Sequence, residues 1–192
     1  MTSLRHNPES VAREPRDAYL DAARACILDV GWRRTTLTEV ARRAGVSRMT
    51  IYRTWSDMPQ LLGDLMTREW TAIVTGTEDP DLVGRMVATV RALRENELFV
   101  RIVELDPELV LPYLLSRRGR SQDLILTIAE EAIVARQATG DVRAGNPAAI
   151  ARALVLAGHG FVLSAHTMVD ERVTEDELDA ELRLVLTRVL QP

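Results

Sequence analysis

Six arginines fall between Gly31 and Trp55, at positions 33, 34, 42, 43, 48 and 53, against a single acid, Glu39. That is a local formal charge of +5 inside a chain whose net charge is −4. Guanidinium groups are always charged and bind phosphate oxygens in pairs, so a cluster of this kind is suited to a polyanion. A solvated arginine-rich surface is the plainer reading of the charge taken alone. The pattern between the arginines carries the argument further.

Leu37, Val40, Ala41 and Ala44 recur at helical spacing and mark one apolar face of a short helix. Thr36 is its expected N-cap, with Glu39 completing a capping box. Gly45 stops that helix, and Ser47 opens a second one that turns Ile51 and Trp55 inward. Ala41 and Ala44 are small enough for the two helices to cross closely. The result is a helix-turn-helix. With Ile51 inward, a rotation of about 100° per residue turns Met49 and Arg53 to solvent, flanked by Thr50 and Tyr52. Arg48 lies in the first turn, next to the Ser47 cap. This arrangement suits entry into a DNA major groove: Arg48, Met49, Thr50 and Arg53 face base edges, while Thr36, Tyr52 and Arg33 or Arg34 hold phosphates, and Ser47 is counted among the DNA-binding residues. A helix from about Pro15 to Val30, carrying Tyr19, Ala22, Ala23, Cys26, Ile27 and Val30 and ended by Gly31, supplies the third wall.

The segment resembles the DNA-binding end of the tetracycline-repressor-like (TetR) family of bacterial transcription regulators. The resemblance rests on Thr35-Thr36, Val40-Ala41, Ala44-Gly45-Val46-Ser47, Tyr52, Trp55 and Leu61-Leu62. Trp55 stands where the family usually has Phe, and Met58 where it has a phosphate-contacting Lys. The resemblance implies an all-α chain: a three-helix helix-turn-helix domain, then a helical ligand-binding and dimerisation domain. It implies a regulator, by family expectation a repressor, that binds a palindromic operator in double-stranded DNA as a homodimer and is released by a small apolar effector. A helical ligand carrier without DNA-binding activity is the alternative.

Charge distribution agrees with one basic end. Residues 1–70 hold 11 arginines and 9 acids, and residues 71–192 hold 13 and 19. Lysine is absent, and the one cysteine, Cys26, sits among apolar neighbours as a core residue. Residues 1–13 read as a flexible arm, residues 14–56 as the helix-turn-helix domain, 57–78 as a linking helix and 79–192 as the effector and dimerisation domain. No signal-like segment opens the chain, and the most apolar run, Ala153 to Val169, falls short of a bilayer span, so a cytoplasmic protein with no membrane partner is expected. No nucleophile with a base, carboxylate pair or phosphate loop stands at catalytic spacing, so neither an enzyme nor a cofactor is expected.

In the second half, Pro147 to Val169 is apolar on every side, with Arg152 its one permanent charge, and must be covered on every side. It resembles one of the two helices forming the family's four-helix dimer interface. Ala153, Ala157, Gly158, Phe161 and Ala165 are assigned to that interface, with Leu182, Val185 and Val189 of the last helix. His159 and His166 lie seven apart; without a third ligand they make a poor metal site, and placement within the interface is the reading preferred. By the same resemblance Trp70, Met86, Val90, Leu93, Phe99, Ile102, Val103 and Tyr113 line an effector pocket, with Tyr113, Arg101 or Glu104 as its polar anchors.

Overall fold

The N-terminal helix begins where Pro15 fixes the first turn, and it ends where Gly31 takes a positive φ. In the computed structural model, which describes residues 14–77, 79 and 81–192, this is α1, Pro15–Val30. It is followed by α2 (Leu37–Arg43), α3 (Arg48–Thr54) and α4 (Met58–Gly76). Then come α5 (Leu82–Arg94), α6 (Glu97–Leu105), the short α7 (Leu111–Leu115), α8 (Arg120–Thr139), α9 (Pro147–Ser164) and α10 (Glu175–Leu190). Short 3-10 turns occupy Trp32–Arg34, Pro107–Leu109 and Ala165–Thr167. No strand occurs among the described residues, so the chain is all-α. The expected arm at 1–13 lies outside the described residues, as does residue 78, where the linking helix was expected to end.

Capping side chains set most of these starts. Thr36, Ser47, Asp57, Asp81, Asn96 and Asn146 each accept a backbone N–H of the first turn they precede. Only half of the box expected at α2 forms: Thr36 Oγ1 accepts from Glu39 N–H at 3.2 Å, but Glu39 turns its carboxylate to Arg42. At α4 Asp57 Oδ1 accepts from Gln60 N–H at 2.8 Å, while Gln60 Oε1 accepts from Ser56 N–H at 2.8 Å. Thr174 and Glu177 complete the full reciprocal box at α10.

Two apolar cores result. The first gathers Leu20, Ala23, Cys26 and Ile27 of α1, Leu37, Val40 and Ala41 of α2, Ile51 of α3, and Trp55, all essentially inaccessible to water. Leu61 and Leu65 of α4 and Leu98 and Ile102 of α6 belong to the same core. The second lies among α5, α8, α9 and α10, around Val87, Leu93, Ile133, Leu154, Leu182 and Leu186. Met66 and Val110 pack against both.

A buried ion pair fixes α10 on α5. Arg94 donates to both carboxylate oxygens of Asp179 at 3.0 and 3.1 Å, and Arg91 Nε adds a third bond at 2.9 Å. Burial alone pushes the Asp179 carboxyl up, but these arginines outweigh it and hold it below the ordinary carboxylate range.

Together with the turn that follows it, α9 forms a 21-residue span, Pro147–Thr167, long and apolar enough by length and composition to cross a bilayer. This corrects the expectation that the apolar run is too short, because the helix begins six residues earlier, at the Asn146–Pro147 cap. Its inner residues Ile150, Ala151, Leu154 and Val162 are buried in the second core.

Candidate functional site

The outer face of α3 is open. Met49 is 70% exposed and Tyr52 45%, while Ser47, Arg48 and Arg53 are also at the surface and Thr50 is half-buried. Ile51 at 0% points the opposite way, as helical rotation requires. Behind it, Gly45 takes φ +69° in the turn, the left-handed conformation that lets α2 and α3 cross. Val46 N–H donates to Ala41 C=O at 3.0 Å and closes that turn.

The six arginines are not equivalent. Arg42 pairs with Glu39, and Arg43 with Asp29. Arg33 Nε donates to Glu108 at 2.9 Å and lies 3.3 Å from Asp106. That bond pulls the Glu108 carboxyl below its ordinary range. Arg33, expected as a phosphate contact, is thus engaged with the turn after α6. The reason is local: the 3-10 turn Trp32–Arg34 abuts the end of α6, where buried Asp106 also accepts the Trp32 N–H at 3.1 Å. Arg34, Arg48 and Arg53 have no ion-pair partner among the described residues. They, with exposed Thr36, flank the open face of α3.

Asp64 of α4 holds the base of α3. Trp55, the residue that ends α3, donates its indole Nε1–H to Asp64 Oδ2 at 2.7 Å. Arg16 of α1 and Arg120 of α8 pair with the same carboxylate. Burial favours the neutral acid, but the bonds from Trp55, Arg120 and Arg16 prevail, and the carboxyl sits below its usual range. Tyr19 meets the Trp55 ring edge-on at 6.4 Å, and Arg16 lies over it at 5.7 Å. Sequence reasoning missed Asp64, Asp106 and Glu108. An acid three residues after Leu61, on an otherwise apolar helix face, was the available signal for Asp64.

A cavity of about 590 Å³ opens among α4 to α9. Of the expected lining, Trp70, Met86, Val90, Leu93, Phe99, Ile102 and Tyr113 are in place. Trp70 and Phe99 meet edge-on with centroids 5.2 Å apart. Val103 does not line the cavity; it packs half-buried on the second core, one residue past Ile102 and so rotated about 100° from it. Arg101 and Glu104 are not at the wall either. The polar lining comes instead from residues such as Arg85, Thr89, Arg117, Arg120, Gln122 and His159.

The outer face of α9 is apolar and uncovered. Leu156 is 69% exposed, with Ala153 and Gly160 beside it, and α10 adds Leu184, Val185 and Val189. Five residues assigned to an interface are partly or wholly covered within the chain itself. Leu182 and Ala165 are buried in the chain itself, at 0% and 3%. Gly158 lines the cavity, and a Cβ there would meet Val90 at 3.3 Å. Phe161 packs half-buried on the second core, and Ala157 is also half-buried. The resemblance assigned these residues to one interface, whereas α9 divides them between the chain's own core and solvent. The two histidines part as well: His159 lines the cavity and His166 is exposed in the turn after α9. Burial holds the His159 imidazole below its ordinary range, in the neutral form. Among the described residues, no three His, Cys, Asp or Glu side chains gather as a metal site.

Residues 20–65, from α1 into α4, match the family model of bacterial regulatory proteins of the tetR family. An uncharacterized HTH-type transcriptional regulator of Mycobacterium bovis is 32% identical over 176 residues, which cover 89% of this chain and 92% of the relative. Among solved structures, Salmonella enterica GusR superposes with a TM-score of 0.65 at 20% identity over 96% of this chain and 99% of its own. SmeT in complex with triclosan superposes at 0.56, with 24% identity over 90% and 89% of the two chains. The open α3 face, the tetR-family match over it and the near full-length relative agree: the chain belongs to the TetR family and is a DNA-binding transcriptional regulator.

Proposed function

We propose that the protein is a cytoplasmic repressor that acts without catalysis, binds a palindromic operator as a homodimer, and leaves DNA when a small apolar molecule fills its cavity. In this reading residues 14–56 are the DNA-binding domain, 57–78 the linking helix, and 79–192 the effector and dimerisation domain. The observation that carries the switch is the position of the cavity. Its wall includes Met66 and Trp70 of α4, and Leu61 and Leu65 of the same helix lie in the core beneath α3. A ligand that fits one placement of α4 better than another therefore shifts the population of head positions, and one that fits both equally changes nothing.

The exposed apolar strip of Ala153, Leu156, Gly160, Val185 and Val189 supports a two-fold partner, since a twin chain would cover it. Two recognition helices must then stand about 34–36 Å apart, or a multiple of that, to enter successive major grooves. Arg48, Met49, Thr50 and Arg53 read bases, and Arg34, Thr36, Ser47 and Tyr52 hold phosphates. The carrier alternative has no observation in its favour. Gel shifts on the DNA upstream of the protein's own gene test the assignment. Arg53→Ala is expected to relax sequence preference at a cost of ~1–3 kcal/mol, while Arg34→Ala weakens all sequences alike and lowers the salt slope by about one. Indifference to both changes would show that α3 is not the reading helix.

A further inference from the structure

The polar groups of the cavity share one sign. Its lining holds Arg85, Arg117, Arg118 and Arg120 and, among the described residues, no aspartate or glutamate. Arg118 Nε lies 3.0 Å from Asp123, and Arg120 pairs with Asp64. Arg117, at the surface, lies over the Tyr113 ring at 5.0 Å. Arg85 differs from these three. It is half-buried on α5, and its guanidinium has no hydrogen-bond or ion-pair partner among the described residues. The acids nearest to it in sequence are engaged elsewhere: Asp79 Oδ1 accepts from Asp81 N–H at 2.8 Å, and Asp81 Oδ2 accepts from Gly84 N–H at 2.8 Å and lies 3.4 Å from Arg183. A guanidinium drawn partly out of water without a counter-charge is destabilising, and a bound anion would supply that charge in a two-pronged bond. Thr89, one turn on and on the same face, also lines the cavity and offers a hydroxyl.

The shape of the cavity sets the rest of the ligand. The lining follows α4 from Pro59 to Val74, roughly 22 Å of helix at 1.5 Å per residue. Residues 77–81 join α4 to α5, so Arg85 stands at the Val74 end, while the Asp64–Arg120 pair marks the other half. Between them the wall of α4 is apolar except for Thr67.

We propose that the cavity takes an amphiphilic anion, a carboxylate on an extended apolar tail, with Arg85 holding the carboxylate and Met66, Trp70, Phe99 and Ile133 enclosing the tail. This rests on the effector reading above and narrows it from any small apolar molecule to one class. The test is calorimetric titration of the full chain with three probes of equal tail: decanoate, decanol and decyltrimethylammonium. Decanoate is expected to bind about tenfold or more tightly than decanol, as a charge-assisted bond implies, and the cation least tightly. R85Q should bring decanoate down to the decanol affinity and leave decanol unchanged, whereas R85K and R118Q should keep the preference. Circular dichroism melts check each variant, and the three-probe comparison on the unaltered protein stands without them. Equal or tighter binding of decanol, no binding of decanoate, or a preference that survives in folded R85Q overturns the proposal. Gel shifts separate the two readings: decanoate that binds by charge but leaves DNA bound removes the effector reading alone. Decanol that binds as tightly as decanoate and releases DNA leaves the effector reading and removes this one.

Discussion

Replacing Asp64 by Asn removes a charge from the point where four segments meet and leaves the side-chain volume nearly unchanged. Asp64 accepts the Trp55 indole at 2.7 Å, and its side chain is only 9% exposed. A hydrogen bond to a charged acceptor contributes ~1.5–3 kcal/mol. Its two arginines are 52% and 65% exposed, so solvent screening limits each to ~0–1 kcal/mol. Asp64→Asn should therefore cost about 2–4 kcal/mol, whereas Arg16→Ala and Arg120→Ala should each cost no more than about 1. For a chain of this size 1 kcal/mol moves the melting temperature by about 2–4 °C, which puts the Asp64→Asn shift at roughly 4–16 °C. The folded-state pKa of Asp64 is depressed, so its contribution is present above the unfolded value of about 3.9 and is lost as pH falls through the folded one. Thermal melts from pH 7 down to pH 3 should show the wild-type advantage shrinking in the acid range. Because Trp55 ends α3, DNA affinity should fall as well. Asn keeps an oxygen that can accept the indole, so if Asp64→Asn melts within a degree of Arg120→Ala at pH 7, the carboxylate charge is not what holds the base of the recognition helix.

Three further outcomes follow from the packing. Gly45→Ala meets no atom within 4 Å but must hold φ +69°, so it should destabilise by about 1–2 kcal/mol in denaturant titration, with Gly45→Asn milder. Asp179→Asn leaves buried Arg94 with only the half-exposed Glu175, 3.4 Å away, as counter-charge and should cost ~2–4 kcal/mol, while the double change Arg94→Met with Asp179→Leu should recover most of it in the same titration. Leu156→Asp, at a site 69% exposed within one chain, should leave the fold intact yet give a monomer by light scattering; a persistent dimer would place the interface elsewhere.

The helix-turn-helix was legible because its signals are local. Thr36, Gly45 and Ser47 act within three or four residues of themselves, and the inward face of Ile51 and Trp55 follows from helical period alone. What spacing could not give was which partner each face meets. Gly158 and Leu182 had the right period for an interface, but α5 and the second core cover them. Arg33 had the right charge for phosphate, yet its carboxylates lie 73 and 75 positions away. His159 and His166 share a face in a continuous helix, and the break at Ala165 parts them.

The contribution of α6 to the first core bears on how the protein is made. Leu98 and Ile102 are 0% and 3% exposed there, against α1. The three N-terminal helices leave the ribosome early, but the apolar pocket they form stays open until α6 arrives. From Trp55 to Ile102 the chain grows by 47 residues, roughly 2–10 s of synthesis at bacterial rates. Through that interval the reading helix exists as sequence without its full support. A truncated product ending near α4 would lack Leu98 and Ile102, and its first core would stay open to water.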